Sequence, residues 1–394
     1  MRICQVIASI NHDFGGPPYS VTQLAEYLFW EGIDSHLFTL DYPNRGIQLT
    51  TNNVKIHSYL ADKPSQYFYG FHPFANSSLQ QIASSELDII HNHGLWLFPN
   101  LYARQAAFNN NLPLLTSPRG MLESWSLSNS WFKKLPAWLL YEHKNLSQAS
   151  VLHATSEEEL KSIRKLNFRQ PVALIPNGIL LPDLSKLPPR EILENTFPEL
   201  KSKKWLLFLS RIHPKKGVDN LIFLWRELKE YFPDWHLILA GSDLNNFQRK
   251  LEKMITQLGL QQNITFTGML SGDYKAAALA NAELFILPSH SENFGIAIAE
   301  ALSYQVPVIT TKKTPWQDLA NYECGWWVED NLPALKEAMV SALELSDSER
   351  KLMGSKGRIL VKNKYSWQEI AKDMSKVYYW MLSGGIPPDC LVFK

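Results

Sequence analysis

Residues 289–302, SHSENFGIAIAEAL, set two carboxylates, Glu292 and Glu300, eight positions apart around Asn293, Phe294 and Gly295 at the start of an apolar helix. Carboxylates so placed accept hydrogen bonds from a ligand rich in hydroxyls. Asn293 is the predicted N-cap, which leaves the amides of Asn293, Phe294 and Gly295 to face phosphate or sugar oxygens. Glu300, about one and a half turns inside the helix, would reach another part of the same ligand. A capping acid and a surface glutamate are the plainer alternative for the pair alone.

Cations stand at a second strand end. In LSRIHPKKG, residues 209–217, Arg211 offers a bidentate fork and Lys216 a point charge, a combination suited to a diphosphate, although such residues read alone are more often solvated loop charges. In NHDFGGPPYS the pair Gly15 and Gly16 follows the first strand, and such a loop lets amides approach phosphate. It is not GxGxxG, and no acid is expected at the end of the second strand, so a nicotinamide cofactor is not indicated.

His91 and His93 lie just past the strand in LDIIHNHG. Two histidines do not complete a metal site. Alternation along the strand predicts that His91 bonds locally while His93 reaches substrate. Arg119 in TSPRGML suits an acidic sugar or phosphate, although alone it reads better as a salt-bridged loop arginine, and Met269 with Leu270 in TGML could offer main-chain groups to a flat base or form a plain strand-end turn. The segment 131–146, WFKKLPAWLLYEHKNL, mixes tryptophans and lysines. It reads either as an interfacial helix near a lipid-linked acceptor or as a core-packing helix interrupted by Pro136.

The elements that must position these residues repeat a pattern. ICQVIASI, SHLFTL, VKIHSYL, LDIIHNHG, PLLTSP and SVLHATS are short apolar runs separated by helical stretches, as βαβ units with a parallel sheet require. After a segment holding Pro182, Pro188, Pro189 and Pro198 the alternation restarts with WLLFLSRI, WHLILAGS, ITFTGML, ELFILPS and VPVITT. That density of proline breaks regular structure and predicts a domain junction. Two doubly wound domains, 1–178 and 179–365, fit a chain of 394 residues that is 45% apolar and 20% charged. Ligands of such sheets lie beyond the strand carboxyl ends, and a cleft between the domains is the expected site.

With 39 basic against 38 acidic residues and no charged block, nucleic acid is not an expected partner. Cys4, Cys324 and Cys390 are too scattered for a disulfide framework or a zinc site. The N-terminus reads as a strand rather than a signal sequence, and no apolar run is long enough to span a bilayer. The expected location is the cytoplasm, with peripheral attachment to the inner face of the membrane as an open possibility.

In order, GG, HxH, SPRGM, IPNG, SRxxxxKG, TG and E-x7-E resemble the motifs of the retaining glycosyltransferases of glycosyltransferase family 4, over nearly the whole chain. The resemblance implies the GT-B fold: two Rossmann-like domains facing across a cleft, the first binding the acceptor and the second the donor. It also implies that a helix at about 366–394 crosses back onto the first domain. By that resemblance Gly16 approaches the donor through its amide, and Arg211 with Lys216 neutralises the diphosphate. Glu292 and the amides of Asn293, Phe294 and Gly295 hold the transferred sugar, Glu300 holds the ribose, and His93 contacts the sugar on the acceptor side. SPRGML looks like a bacterial polysaccharide-building subgroup. The donor implied is a UDP-sugar such as UDP-glucose, the acceptor a glycan or lipid-linked sugar. No metal and no further cofactor are expected, since the chain contains no Asp-x-Asp. A GT-B-like epimerase or phosphorylase, or a non-catalytic sugar-binding subunit, are the alternatives.

Overall fold

A computed structural model describes residues 1–62, 65–66, 69–123, 126–127, 131–243 and 246–393, with the backbone alone at 131 and 133. The chain forms two compact units, Met1–Gly178 together with Trp367–Lys394, and Ile179–Ser366.

In the first unit the apolar runs become strands β1 (Arg2–Ser9), β2 (Asp34–Asp41), β3 (Lys55–Leu60), β4 (Ile89–His93), β5 (Leu114–Ser117), β6 (Val151–Ala154) and β7 (Val172–Leu174). They pair in parallel, and β14 (Leu391–Val392) adds an antiparallel edge, in the order β14-β7-β6-β5-β4-β1-β2-β3. Alternate strand residues feed two cores, because successive side chains point to opposite faces. Ile3, Ile89 and Leu115 pack with Leu24 and Leu28 of helix Gly16–Trp30 and with Ile370 and Met374 of helix Trp367–Ser383. Cys4, Ile90 and Leu114 face instead Leu79 of helix Ala75–Glu86 and Tyr102 of helix Phe98–Asn109. The C-terminal helix therefore belongs to the first unit.

The second unit holds β8 (Lys204–Leu209), β9 (Trp235–Ala240), β10 (Ile264–Gly268), β11 (Leu284–Leu287), β12 (Val308–Thr311) and β13 (Gly325–Val328). All pair in parallel in the order β10-β9-β8-β11-β12-β13. One core built around Trp205, Trp225, Phe285 and Trp316 fills it.

Strands β7, β13 and β14 lay outside the apolar runs that mark the other strands. Each is short and lies at or near a sheet edge, where periodicity has too few residues to show. A second difference concerns β2, which ends in an acid after all. The Asp41 carboxylate accepts from Asn11 Nδ2 at 2.8 Å, so it serves the β1 loop.

Candidate active site

The loop after β8 carries the two cations. Arg211 is exposed and makes no ion pair among the described residues. Two residues on, the His213 ring accepts from the Lys215 amide at 3.1 Å and opens the turn Pro214–Lys216. Gly217 closes that turn at φ +68°. A Cβ there would lie 2.2 Å from the Pro288 carbonyl oxygen, so only glycine lets this loop press against the loop after β11. The His290 amide donates to the Lys215 carbonyl at 2.9 Å and ties the two loops again.

The consequence is chemical. The Lys216 ammonium donates to the Glu292 carboxylate, from 76 positions away in sequence, with side chains only 8% and 18% exposed. Arg211, five residues before Lys216, has no carboxylate partner among the described residues.

The start of the following helix differs from the sequence expectation. Helix Ile296–Ser303 is capped by Gly295 at φ +77°, not by Asn293. A side chain at Gly295 would crowd Glu292, Ile298 and Trp316, all within 3.1–3.3 Å of its Cβ. Phe294 is buried against Trp316 and Tyr365, and its carbonyl accepts from Trp316 Nε1 at 2.5 Å. Phe294 thus anchors the loop by its ring. Glu300 lies about one turn into the helix rather than one and a half, and pairs with Lys275 of helix Gly272–Asn281 at 2.6 Å. Each acid of the E-x7-E pattern therefore has its own lysine. Lys275 was invisible in the sequence, since nothing in GDYKAAALAN sets it apart from a solvated lysine.

Met269 is exposed just past β10, where the Gly268 carbonyl accepts from the Gly241 amide at 2.8 Å, so the loops after β9 and β10 meet beside Met269 and Leu270.

In the first unit, Gly15 at φ +86° caps helix Gly16–Trp30, and space is open around both glycines. Pro17 and Pro18 lack N–H groups, so the first turn presents the amides of Gly16 and Tyr19.

The histidines correct another expectation. A strand repeats every two residues, so His91 and His93 share one face of β4; their rings lie 3.9 Å apart. His93 is buried with both nitrogens bonded and does not reach outward. Instead a chain of hydrogen bonds runs through the unit, and its polarity follows from donors that cannot accept. Arg119 Nη2 donates to His93 Nδ1 at 2.9 Å, which makes His93 Nε2 the donor to Gln5 Oε1 at 2.7 Å. Gln5 Nε2 donates to the Tyr378 hydroxyl at 3.1 Å, and that hydroxyl donates to His91 Nδ1 at 2.7 Å. His91 Nε2 then donates to Ser117 Oγ at 2.7 Å, Ser117 to His153 Nδ1 at 2.6 Å, and His153 Nε2 to the Ile175 carbonyl at 2.7 Å.

All three rings are neutral in this scheme. Burial first, then neighbouring histidines and Arg119, hold His91 and His93 well below the ordinary imidazole range. Burial and Arg119 lower His153 to about 3. Burial lowers the Arg119 guanidinium to about 10, far above neutral pH, so it stays charged. Arg119 also donates to Asn177 Oδ1 at 2.7 Å, and no carboxylate lies within salt-bridge distance of it among the described residues.

Gln5, Ser117, His153, Asn177 and Tyr378 were missed as site residues. The available signal was polar residues inside apolar strands, as in ICQVI and SVLHA. Among the described residues no cluster of three His, Cys, Asp or Glu could hold a metal ion.

Two doubly wound parallel-sheet units with charged loops at their strand ends are the architecture of the GT-B fold. A family model described as Glycosyltransferase Family 4 matches residues 14–181, and one described as Glycosyl transferases group 1 matches residues 190–360. The chain belongs to the family 4 type of GT-B glycosyltransferases. It is 29% identical over 178 residues to an uncharacterised glycosyltransferase of Methanocaldococcus jannaschii, a match covering 45% of each chain. It is 26% identical over 321 residues to the GDP-mannose:cellobiosyl-diphosphopolyprenol alpha-mannosyltransferase of Xanthomonas oryzae pv. oryzae, covering 80% of this chain and 79% of that one. Among solved structures, Anabaena HepE in complex with UDP superposes with a TM-score of 0.73 at 18% identity, covering 95% of this chain and 98% of that one.

Proposed function

We propose that the protein is a retaining, metal-independent glycosyltransferase that moves a sugar from a UDP-sugar such as UDP-glucose to a glycan or lipid-linked acceptor in envelope or extracellular polysaccharide synthesis. The observation that carries this reading is the convergence of Lys216 and Glu292, with Arg211 five residues before Lys216, on one corner of the second unit.

Breaking a glycosyl phosphate bond builds negative charge on the departing diphosphate, and cations aimed at that charge lower the barrier more than they stabilise the ground state. Arg211 supplies the bidentate contact and Lys216 the point charge. Glu292, positioned by Lys216, accepts hydroxyls of the transferred sugar, and Glu300 beside Lys275 accepts those of the ribose. The acceptor oxygen attacks the anomeric carbon on the face the diphosphate leaves, and its proton passes to the departing phosphate oxygen, so configuration is retained. The absence of Asp-x-Asp supports charge neutralisation by side chains rather than by a divalent ion. Gly15 and Gly16 offer amides to the donor, and Met269 with Leu270 flank the base. Arg119 contacts the acceptor or the sugar, and His93 is a positioning residue acting through it.

The UDP complex of Anabaena HepE supports the uridine donor. A second reading, GDP-mannose, is favoured by the name of the Xanthomonas relative, which is 26% identical to this chain against 18% for HepE. Purified protein incubated with UDP-glucose or GDP-mannose and membrane-extracted acceptors separates the two by the labelled product. The product's anomeric configuration tests retention, and undiminished turnover in EDTA is expected. Donor binding without product from either nucleotide sugar would favour the non-catalytic reading.

A further inference from the structure

Helices Ala75–Glu86 and Phe98–Asn109 lie side by side over one core of the first unit. Each holds a single charged residue, Glu86 in one and Arg104 in the other, in a chain of which 20% is charged. A surface helix ordinarily turns a charged face to water. These two present amides and serine hydroxyls instead, and between them runs a groove of about 690 Å³, within the roughly 300–1,000 Å³ of ligand clefts.

The wall of the groove is built in rungs one helical turn apart. Asn76 Nδ2 donates to Gln105 Oε1 at 3.0 Å, and a turn further on Asn109 Nδ2 donates to Gln80 Oε1 at 3.3 Å. Both glutamines accept through their oxygens, and their Nε2 groups donate to nothing among the described residues. Arg104 gives Nη1 to Gln148 at 2.9 Å. Its Nε, like Asn76 Oδ1, is buried without a hydrogen-bond partner, an arrangement that protein interiors avoid unless water or a ligand completes it. Phe108, 65% exposed, adds a ring, and apart from Pro73 no other apolar side chain lines the groove. No carboxylate lines it.

We propose that this groove binds a neutral oligosaccharide. A planar amide donates and accepts side by side, which matches the neighbouring hydroxyls of a pyranose, while the C–H face of the sugar packs on the electron-rich face of an aromatic ring. A wall of amides beside one ring offers both. Composition decides against other occupants: an acidic glycan needs more than the one cation, Arg104, and a protein partner needs an apolar centre that Phe108 and Pro73 alone do not make. The groove is separate from the strand-end loops. Asn100 donates to the His93 carbonyl at 3.1 Å, whereas Arg104, Gln105, Phe108 and Asn109 lie further along that helix, away from β4. The proposal therefore stands whichever nucleotide sugar the second unit takes.

The test is binding of the labelled whole protein to an array carrying neutral oligosaccharides of glucose, galactose and mannose beside uronic-acid and sulfated ones, followed by calorimetry with the best neutral binder. Wild type should bind neutral oligosaccharides. Affinity should fall about tenfold or more in Phe108→Ala and in the double variant Gln80→Ala with Gln105→Ala. All three side chains are at least partly exposed, so both variants should unfold as wild type does and keep its affinity for UDP, which reports the donor site. Neutral-glycan binding undiminished in both variants would place the sugar elsewhere and overturn the proposal. So would binding confined to the charged oligosaccharides, or no binding to any. A concentration-dependent dimer lost in Phe108→Ala, in a protein that binds no glycan, would assign the groove to a second copy of the chain instead.

Discussion

The neutral histidine chain makes stability of the first unit depend on pH in a direction that can be worked out. His153 is held at about 3, so its native ring stays unprotonated at pH 5.5, whereas in the unfolded chain it returns to about 6.5. Between pH 7.5 and 5.5 the unfolded state takes up a proton that the native state refuses. Stability is thus full above pH 6.5 and falls as the solution is acidified, by about 1.4 kcal/mol for this one ring over that interval. His91 and His93 are depressed for the same reason and add to the loss in the same direction. His153→Gln keeps an acceptor and a donor but cannot titrate. Urea unfolding at the two pH values, followed by hydrogen-exchange mass spectrometry on peptides covering β4 to β6, should give a pH-induced loss about 1.4 kcal/mol smaller in the variant than in wild type. Equal losses would refute the assignment of a neutral native ring.

The second unit yields three further expectations. Lys216→Met leaves the Glu292 carboxylate largely buried without its partner and should cost about 3 kcal/mol in thermal or urea unfolding, while Lys216→Met with Glu292→Leu should cost less than the sum of the single changes. Gly217→Ala forces a Cβ onto the Pro288 carbonyl at a left-handed φ, so a loss of about 1–3 kcal/mol and reduced turnover are expected from the displaced Lys216. Arg211→Ala removes an exposed cation without a partner. Stability should stay within about 0.5 kcal/mol of wild type, while UDP affinity measured by calorimetry drops about tenfold or more.

Much of the fold was legible because its strands are long apolar runs bounded by turns. WLLFL and LILA announce buried parallel strands on composition alone, whereas GWWV and the two-residue β14 carry no period to read. The strand-end location of Arg211, Lys216 and Glu292 also followed from the alternation of elements. Their pairing did not, because contact between residues 76 positions apart depends on Gly217 lying against Pro288, a packing fact with no sequence signature. The N-cap failed for a related reason. Asn293 has a favourable capping side chain, but burial of the Phe294 ring shifts the helix start to Gly295, where only glycine fits between Glu292 and Trp316. His93 misled because strand alternation was applied between two residues that share a face.

The proposed function requires Arg211, Lys216 and Glu292 to receive a nucleoside diphosphate sugar. A crystal structure of the protein with UDP-glucose or GDP-mannose tests it directly. Diphosphate oxygens should lie within hydrogen-bond distance of the Arg211 guanidinium and the Lys216 ammonium, with a sugar hydroxyl on Glu292. A well-ordered donor whose diphosphate touches neither cation would contradict it.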